Sequence, residues 1–166
     1  MKKIFVIISN GEGGIATFQK YFVENALKLK HKVYFIDKNN YTFKYINKDL
    51  KSKIKLFKYN PIYQPTKVLT SLKFIKKKES NNKVIFIFNN PLLLILYFFY
   101  LVIFFKDKRI NLFLHSHILK FNISQILINF FSSLISPFIY RVYFVSKFTK
   151  KWWLKYFFLY KFSNYK

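Results

Sequence analysis

The sequence predicts an α/β fold, a Rossmann-like parallel sheet flanked by helices, in a single domain over residues 1–166. Short apolar runs alternate with segments of helical spacing, which is typical of parallel strands buried on both faces. The first run is followed by all three glycines of the chain, Gly11, Gly13 and Gly14. The chain is 52% hydrophobic, which is enough for a sizeable core.

Six strands are predicted from apolar or alternating runs. They cover residues 4–8, 32–37, 54–59, 84–88, 110–114 and 141–145. Helical spacing, prolines and a capping serine predict the helices between and after them. These cover residues 15–30, 67–78, 124–136 and 149–160, with a further helix beginning at Pro91. No element is predicted for the polar stretch 38–53.

Two segments raise the question of a membrane. The longest apolar run, residues 92–105, is shorter than the roughly 20 residues of a spanning helix. It is compatible with a helix packed on the sheet, a helix lying on a bilayer, or a span. Residues 150–161 mix aromatic and basic side chains, as in a helix packed on the sheet, an interfacial helix, or a surface that another domain covers.

The formal net charge of +24 restricts the expected partners. Arg109 and Arg141 are the two arginines of the chain, and its lysines form no single stripe. Because arginine is the usual reader of guanine and no recognition motif is evident, we do not expect nucleic acid as a partner. An anionic membrane surface or a nucleotide is favoured instead. The chain has no cysteine and no signal-peptide pattern, so we expect a cytoplasmic protein, peripheral on the inner face of the membrane.

The candidate site residues follow two predicted strands. The glycine turn follows strand one, where free helix amides favour an anion, although an ordinary tight turn would also use glycine. His115 and His117 follow strand five; they have no third ligand that would indicate a metal, and they are also compatible with plain loop residues. Most of the six acidic residues are expected at the surface, which argues against a paired-carboxylate hydrolase.

A dinucleotide site is the main alternative for the glycine turn. Gly11, Gly13 and Ala16 fit the G-x-G-x-x-G/A pattern, and Asp37 ends strand two where a ribose would be held. The histidine pair has no place in that pattern, and no residue set for hydride transfer is evident. A non-catalytic nucleotide-binding module and a small membrane-associated protein therefore remain alternatives.

Three segments, in order along the chain, carry a family resemblance. Gly13 and Gly14 open a helix that leads into residues 26–36, a Leu–His–Val pattern that continues into the second strand. Residues 114–117 form a Leu-His-Ser-His turn, and residues 145–150 a Val-Ser…Thr-Lys segment. Together they resemble the N-terminal domain of family 4 type glycosyltransferases. At Lys30 that family usually has glycine, so the turn there is expected to be built differently.

The resemblance implies the first half of a two-domain GT-B architecture. It implies an enzyme that transfers a sugar, with retention, from a nucleotide-sugar donor to a glycan or lipid-linked acceptor, without a separate cofactor. Gly11, Gly13 and Gly14 would lie near the donor phosphates, and His117, with His115 beside it, would face the sugar. The donor-binding second domain is not contained in these residues, so activity would depend on a separate donor-binding domain, as in a split or truncated enzyme.

Overall fold

A six-stranded sheet with all strands parallel forms the centre of the protein in the computed structural model. The strand order is β3-β2-β1-β4-β5-β6. The structure describes residues 3–10, 14–38, 41–80, 82–105, 108–115 and 122–165. Helices cover both faces of the sheet, so the predicted Rossmann-like α/β fold is confirmed.

The strands agree with the predicted ones to within two residues at each end. They are β1 (Ile4–Ser9), β2 (Lys32–Asp37), β3 (Ile54–Phe57), β4 (Val84–Phe88), β5 (Lys108–Leu114) and β6 (Arg141–Phe144). The α-helices are α1 (Gly14–Lys28), α2 (Tyr41–Tyr45), α3 (Lys48–Lys51), α4 (Pro65–Lys78), α5 (Pro91–Phe104), α6 (Ile123–Ile135) and α7 (Lys147–Tyr156). Short 3-10 helices follow α6 and α7, at Ser136–Phe138 and Phe158–Phe162.

The continuous apolar runs arise because each central strand is buried on both sides. In β1, Val6 and Ile8 belong to a core shared with α4, α5 and α7, whereas Ile7 belongs to a core shared with α1. All three side chains are 0% exposed. Alternate residues of a strand point to opposite faces, so a sheet covered on both sides needs apolar residues at every position.

The polar stretch 38–53 folds into α2 and α3, which the sequence did not predict. Tertiary contacts stabilise these short helices, since isolated helices of this length are not stable in water. Thr42 of α2 is fully buried and donates a hydrogen bond to Gln19 of α1. Ile46, which follows α2, lies in the same core as α1.

Helix α5 is built from the long apolar run, and it packs on the sheet. It begins at Pro91 as predicted, and the Asn90 side chain accepts a hydrogen bond from the Leu92 amide as its N-cap. Leu94, Tyr97 and Leu101 are at most 1% exposed and lie in the core. Across the described ranges, no helix is both long enough and apolar enough to traverse a bilayer.

The C-terminal aromatic segment also packs on the sheet. Helix α7 begins two residues earlier than predicted, with Ser146 as its N-cap, and it ends at Tyr156 rather than Tyr160. Trp153 and Tyr160 are 3% and 0% exposed and belong to the core shared with α5. Of the alternatives for residues 150–161, a helix packed on the sheet is therefore the one observed.

The two edge strands of the sheet, β6 and β3, differ in whether their outer side is paired. On the outer side of β6, the Val142 amide donates a hydrogen bond to the Asn164 carbonyl (2.9 Å), and Val142 forms a parallel bridge with Tyr165. At the other edge, β3 has only four residues, and Lys55 on it is exposed.

The turn from α1 to β2 contains a lysine in the left-handed conformation. Lys30 has a φ of 57°, the region that normally favours glycine. Its amide donates to the Leu27 carbonyl and the His31 amide donates to the Ala26 carbonyl, both at 2.9 Å, which is the Schellman arrangement. The expectation that this turn is built differently from a glycine turn is therefore wrong, because the hydrogen bonds impose the same backbone on lysine.

We expect Lys30→Gly to raise the free energy of unfolding by about 0.5–1 kcal/mol, because glycine adopts this conformation without a Cβ clash. Urea denaturation followed by circular dichroism measures the change. The matched control is Lys28→Gly, two residues earlier in α1, which should lower stability by up to about 1 kcal/mol. Equal losses for both variants would contradict the assigned strain.

Candidate functional site

The strand order reverses at β1, and the polar residues that follow the strands meet beside this point. β1 pairs with β2 on one side and β4 on the other, so the chain leaves β1 and β4 in opposite directions and opens a crevice at the carboxyl edge. Asn10 follows β1 and Asn90 follows β4. The Asn90 amide nitrogen donates to the Asn10 side-chain oxygen at 3.4 Å, which joins the two loops.

Gly14 is the member of the glycine turn that the structure describes. It is exposed and begins α1 at the carboxyl end of β1. A Cβ added there would meet no atom within 4 Å, and its φ is not in the left-handed region. The described protein therefore has room for a side chain at Gly14. Gly11 and Gly13 lie outside the described residues.

His115 lies at the same edge, directly after β5. Its Nε2 atom is 3.0 Å from the Oδ1 atom of Asn89, which directly follows β4. Its ring meets Phe18 of α1 edge-on, with centroids 5.0 Å apart. His117, the other predicted catalytic residue, lies outside the described residues.

The environment of His115 defines its chemistry. Burial lowers the pKa of the imidazole, so the neutral ring is favoured at pH 7. When Nε2 carries the proton and donates to the Asn89 oxygen, Nδ1 keeps its lone pair and is a hydrogen-bond acceptor. A neutral imidazole held in one tautomer can accept a hydroxyl proton or orient a hydroxylated ligand.

Asn89 and Asn90 lie at the candidate site, but they were not predicted from the sequence. Asn89 is 7% exposed, and its Nδ2 atom is buried with no hydrogen-bond partner in the described part of the chain. Their position after a buried strand was the available signal, since ligands of such sheets bind at the carboxyl ends.

A buried row of side chains supports the start of α1. The Gln19 amide nitrogen donates to the Ser9 hydroxyl, and the Gln19 amide oxygen accepts from the Thr42 hydroxyl, each at 2.7 Å. All three residues are at most 1% exposed. Because each group satisfies the next, these hydrogen bonds fix α1 in rotation and depth against β1.

Two of the acidic residues are buried, but these two form no catalytic pair. Asp37 and Glu79 are 1% and 5% exposed. Asp37 ends β2, whereas Glu79 binds Lys32 at the opposite end of that strand. Burial also makes Asp37 a poor fit to the dinucleotide alternative, since a ribose-binding carboxylate must be reachable. In the described ranges, no group of three or more His, Cys, Asp or Glu side chains is placed to hold a metal ion.

Comparisons with known proteins do not assign the chain to a family. No model of a known protein family matches this chain, and a search of curated proteins found no significant match. The resemblance to glycosyltransferases therefore rests on the residues quoted above, and the site rests on its geometry.

Proposed function

We propose that this chain is the N-terminal, acceptor-side domain of a retaining glycosyltransferase that uses a nucleotide-sugar donor. The observation that supports the proposal best is the His115–Asn89 pair at the carboxyl edge of the sheet, beside the strand-order reversal and near the start of α1. In this assignment, the donor phosphates lie against the α1 N-terminus. His115 and His117 face the transferred sugar.

The proposed chemistry uses backbone amides and a neutral imidazole. As the sugar leaves the nucleotide diphosphate, negative charge grows on the diphosphate, and the amides and dipole of α1 stabilise it. The Nδ1 lone pair of His115 accepts a hydrogen bond from a sugar or acceptor hydroxyl. The acceptor is a glycan or a lipid-linked molecule, and we place the enzyme on the cytoplasmic face of a membrane.

A donor-binding domain outside these residues is the proposed partner. Family 4 type enzymes recognise much of the donor through their second domain, so this chain alone should bind donor weakly and transfer little. Sugar transfer by the purified chain alone, measured with a radiolabelled nucleotide-sugar, would contradict this part of the proposal.

Nucleic acid is not the proposed ligand. Both arginines are engaged with Tyr140, with guanidinium-to-ring distances of 4.3 Å for Arg109 and 5.3 Å for Arg141. Arg109 also donates a hydrogen bond to the Tyr140 hydroxyl at 3.0 Å. This side-chain stacking leaves them poorly placed to read base edges.

The three glycines make the donor proposal directly testable. Because all of them lie in the proposed phosphate turn, labelling with ¹⁵N-glycine produces three amide signals that report on this turn. We expect UDP-glucose, UDP-N-acetylglucosamine or GDP-mannose to shift these signals, and NAD to leave them in place. Shifts with NAD alone would favour a dinucleotide-binding module, and no shift with any nucleotide would contradict the proposal.

Gly14→Ala is the matched variant, because the protein itself leaves room for the added methyl group. We expect an unchanged or slightly higher melting temperature, since alanine favours helices. Binding of the nucleotide-sugar that shifts the glycine signals should weaken about tenfold, which corresponds to about 1.4 kcal/mol. Unchanged affinity would show that no phosphate approaches the backbone at Gly14.

A further inference from the structure

Helix α6 is oriented opposite to an ordinary surface helix. Its buried residues are Asn129, Ser132 and Ser133, whereas Ile123 and Phe131 are 79% and 51% exposed. Surface helices of globular proteins normally turn their apolar side inward. Here the small polar side faces the protein, where the Ser132 hydroxyl bonds the buried Tyr160 hydroxyl, and the apolar side faces outward.

The neighbouring helix α5 continues this apolar surface. It contacts α6, and neither helix contains a charged residue. Leu96, Phe99 and Ile103 recur at helical spacing and are 45%, 67% and 72% exposed. We call the exposed apolar side chains of these two helices the α5–α6 face. An apolar surface of this extent is typical of an interaction site.

Lysines lie next to both helices of the face. From α4, the Lys76 ammonium lies 5.3 Å from the ring centroid of Phe104, the last residue of α5. Lys73 and Lys77 line the same shallow cavity as Phe104. Next to α6, the 3-10 helix Phe158–Phe162 contributes exposed Lys161. The surroundings of the face are therefore cationic.

Charge decides against a second copy as the occupant of this face. Two copies, each with a net charge of +24, would bring lysines against lysines. The chain has six acidic residues that could pair with the lysines of a second copy, and of these Asp37 and Glu79 are buried. An anionic bilayer matches both the apolar face and the lysines, because the apolar side chains can pack among its acyl chains and the lysines can bind its headgroups.

We propose that the α5–α6 face inserts into the interface of an anionic lipid bilayer, with the lysines of α4 and Lys161 on the headgroups. The helices lie along the surface, since α5 with 14 residues is about 21 Å long and a hydrocarbon core is about 30 Å thick. This inference rests on the surface alone and does not depend on the proposed sugar transfer.

Because the chain has no cysteine, a dye attached to one introduced cysteine senses the polarity around that residue alone. A polarity-sensitive dye is attached to the Phe131→Cys variant. Its fluorescence emission should shift to the blue with vesicles of phosphatidylcholine and phosphatidylglycerol at 7:3, and much less with phosphatidylcholine alone. The matched control is Leu29→Cys; Leu29 is 69% exposed and follows α1 on the opposite face of the sheet. The emission of a dye attached at this control position should not shift. Equal shifts at both positions, or none at Phe131→Cys, would overturn the proposal.

Vesicle co-sedimentation with unlabelled variants gives the second measurement. We expect the double variant Phe99→Ser/Phe131→Ser to lose at least tenfold in binding while its melting temperature is retained, and Tyr21→Ser on α1 to bind as the wild type does. High salt should weaken binding, because the lysines act through long-range charge. A dye shift that depends on protein concentration without vesicles would assign the face to a second copy and overturn the lipid assignment, as would unaltered binding of the double variant.

Discussion

Replacing Phe86 with alanine should lower the free energy of unfolding by about 3–5 kcal/mol, the range for deleting a buried phenylalanine. Phe86 lies at the middle of β4, one of the two central strands, and it is 0% exposed. Its ring meets Phe105, which directly follows α5, edge-on with centroids 4.9 Å apart. Removing it leaves a cavity between sheet and helix that the rigid β-strands cannot close.

Urea unfolding measures this loss, which is a large share of the roughly 5–15 kcal/mol of a typical domain. Because the alanine variant can fail to fold, Phe86→Leu is the companion, with an expected loss of about 1–2 kcal/mol. Phe138→Ala is the exposed control, since Phe138 is 77% exposed, and it should change stability by less than about 0.5 kcal/mol. A loss under 1 kcal/mol for Phe86→Ala would contradict the assigned core.

Replacing Glu79 with glutamine should lower stability at pH 7 by about 1–3 kcal/mol, because it leaves the buried Tyr34 hydroxyl and the partly buried Lys32 ammonium without their charged acceptor. Glu79 caps the end of α4 and binds Lys32 and Tyr34 of β2, with the Tyr34 hydroxyl at 2.5 Å. Burial alone would raise the pKa of Glu79, but hydrogen bonds from Lys32, Tyr34 and Asn82 and the charge of Lys32 hold it below its ordinary value.

The sign of the pH dependence follows from this lowered pKa. The charged carboxylate contributes stability above the unfolded-state pKa of about 4.3, and this contribution is lost as the pH falls through the lower folded-state pKa. Wild-type protein should therefore lose stability between about pH 5 and pH 3, and Glu79→Gln should lose less over that range. Unfolding at several pH values tests this, with exposed Asp49→Asn as the control. Parallel pH profiles for wild type and Glu79→Gln would contradict the role of this carboxylate.

The strands were predictable because their environment is uniform. Burial on both faces requires a continuous apolar run, and such runs can be recognised without knowledge of the partners. The start of α5 and the cap of α7 were predictable for a local reason, since Pro91 suits the first turn of a helix and Ser146 suits its N-cap. Helices α2 and α3 were missed because contacts from α1, far away in sequence, stabilise them.

The site was predictable only in part, since its parts meet through topology. His115 stood out as a histidine after a strand, but its partner Asn89 is 26 residues earlier. Only the pairing of β4 with β5 brings them together. The conformation of Lys30 was hidden for a similar reason, because the hydrogen bonds at the end of α1, rather than the residue type, hold its backbone.

The way in which the two edge strands of the sheet are covered or shortened determines how this aromatic-rich chain can associate. An unpaired edge strand is a template for cross-β growth, and short or lysine-bearing edges oppose it. Asn164 and Tyr165 already occupy the outer side of β6, and β3 is short and carries Lys55. Contacts made by this protein should therefore be side-chain contacts from its helices, which can be reversed, rather than backbone pairing that extends the sheet.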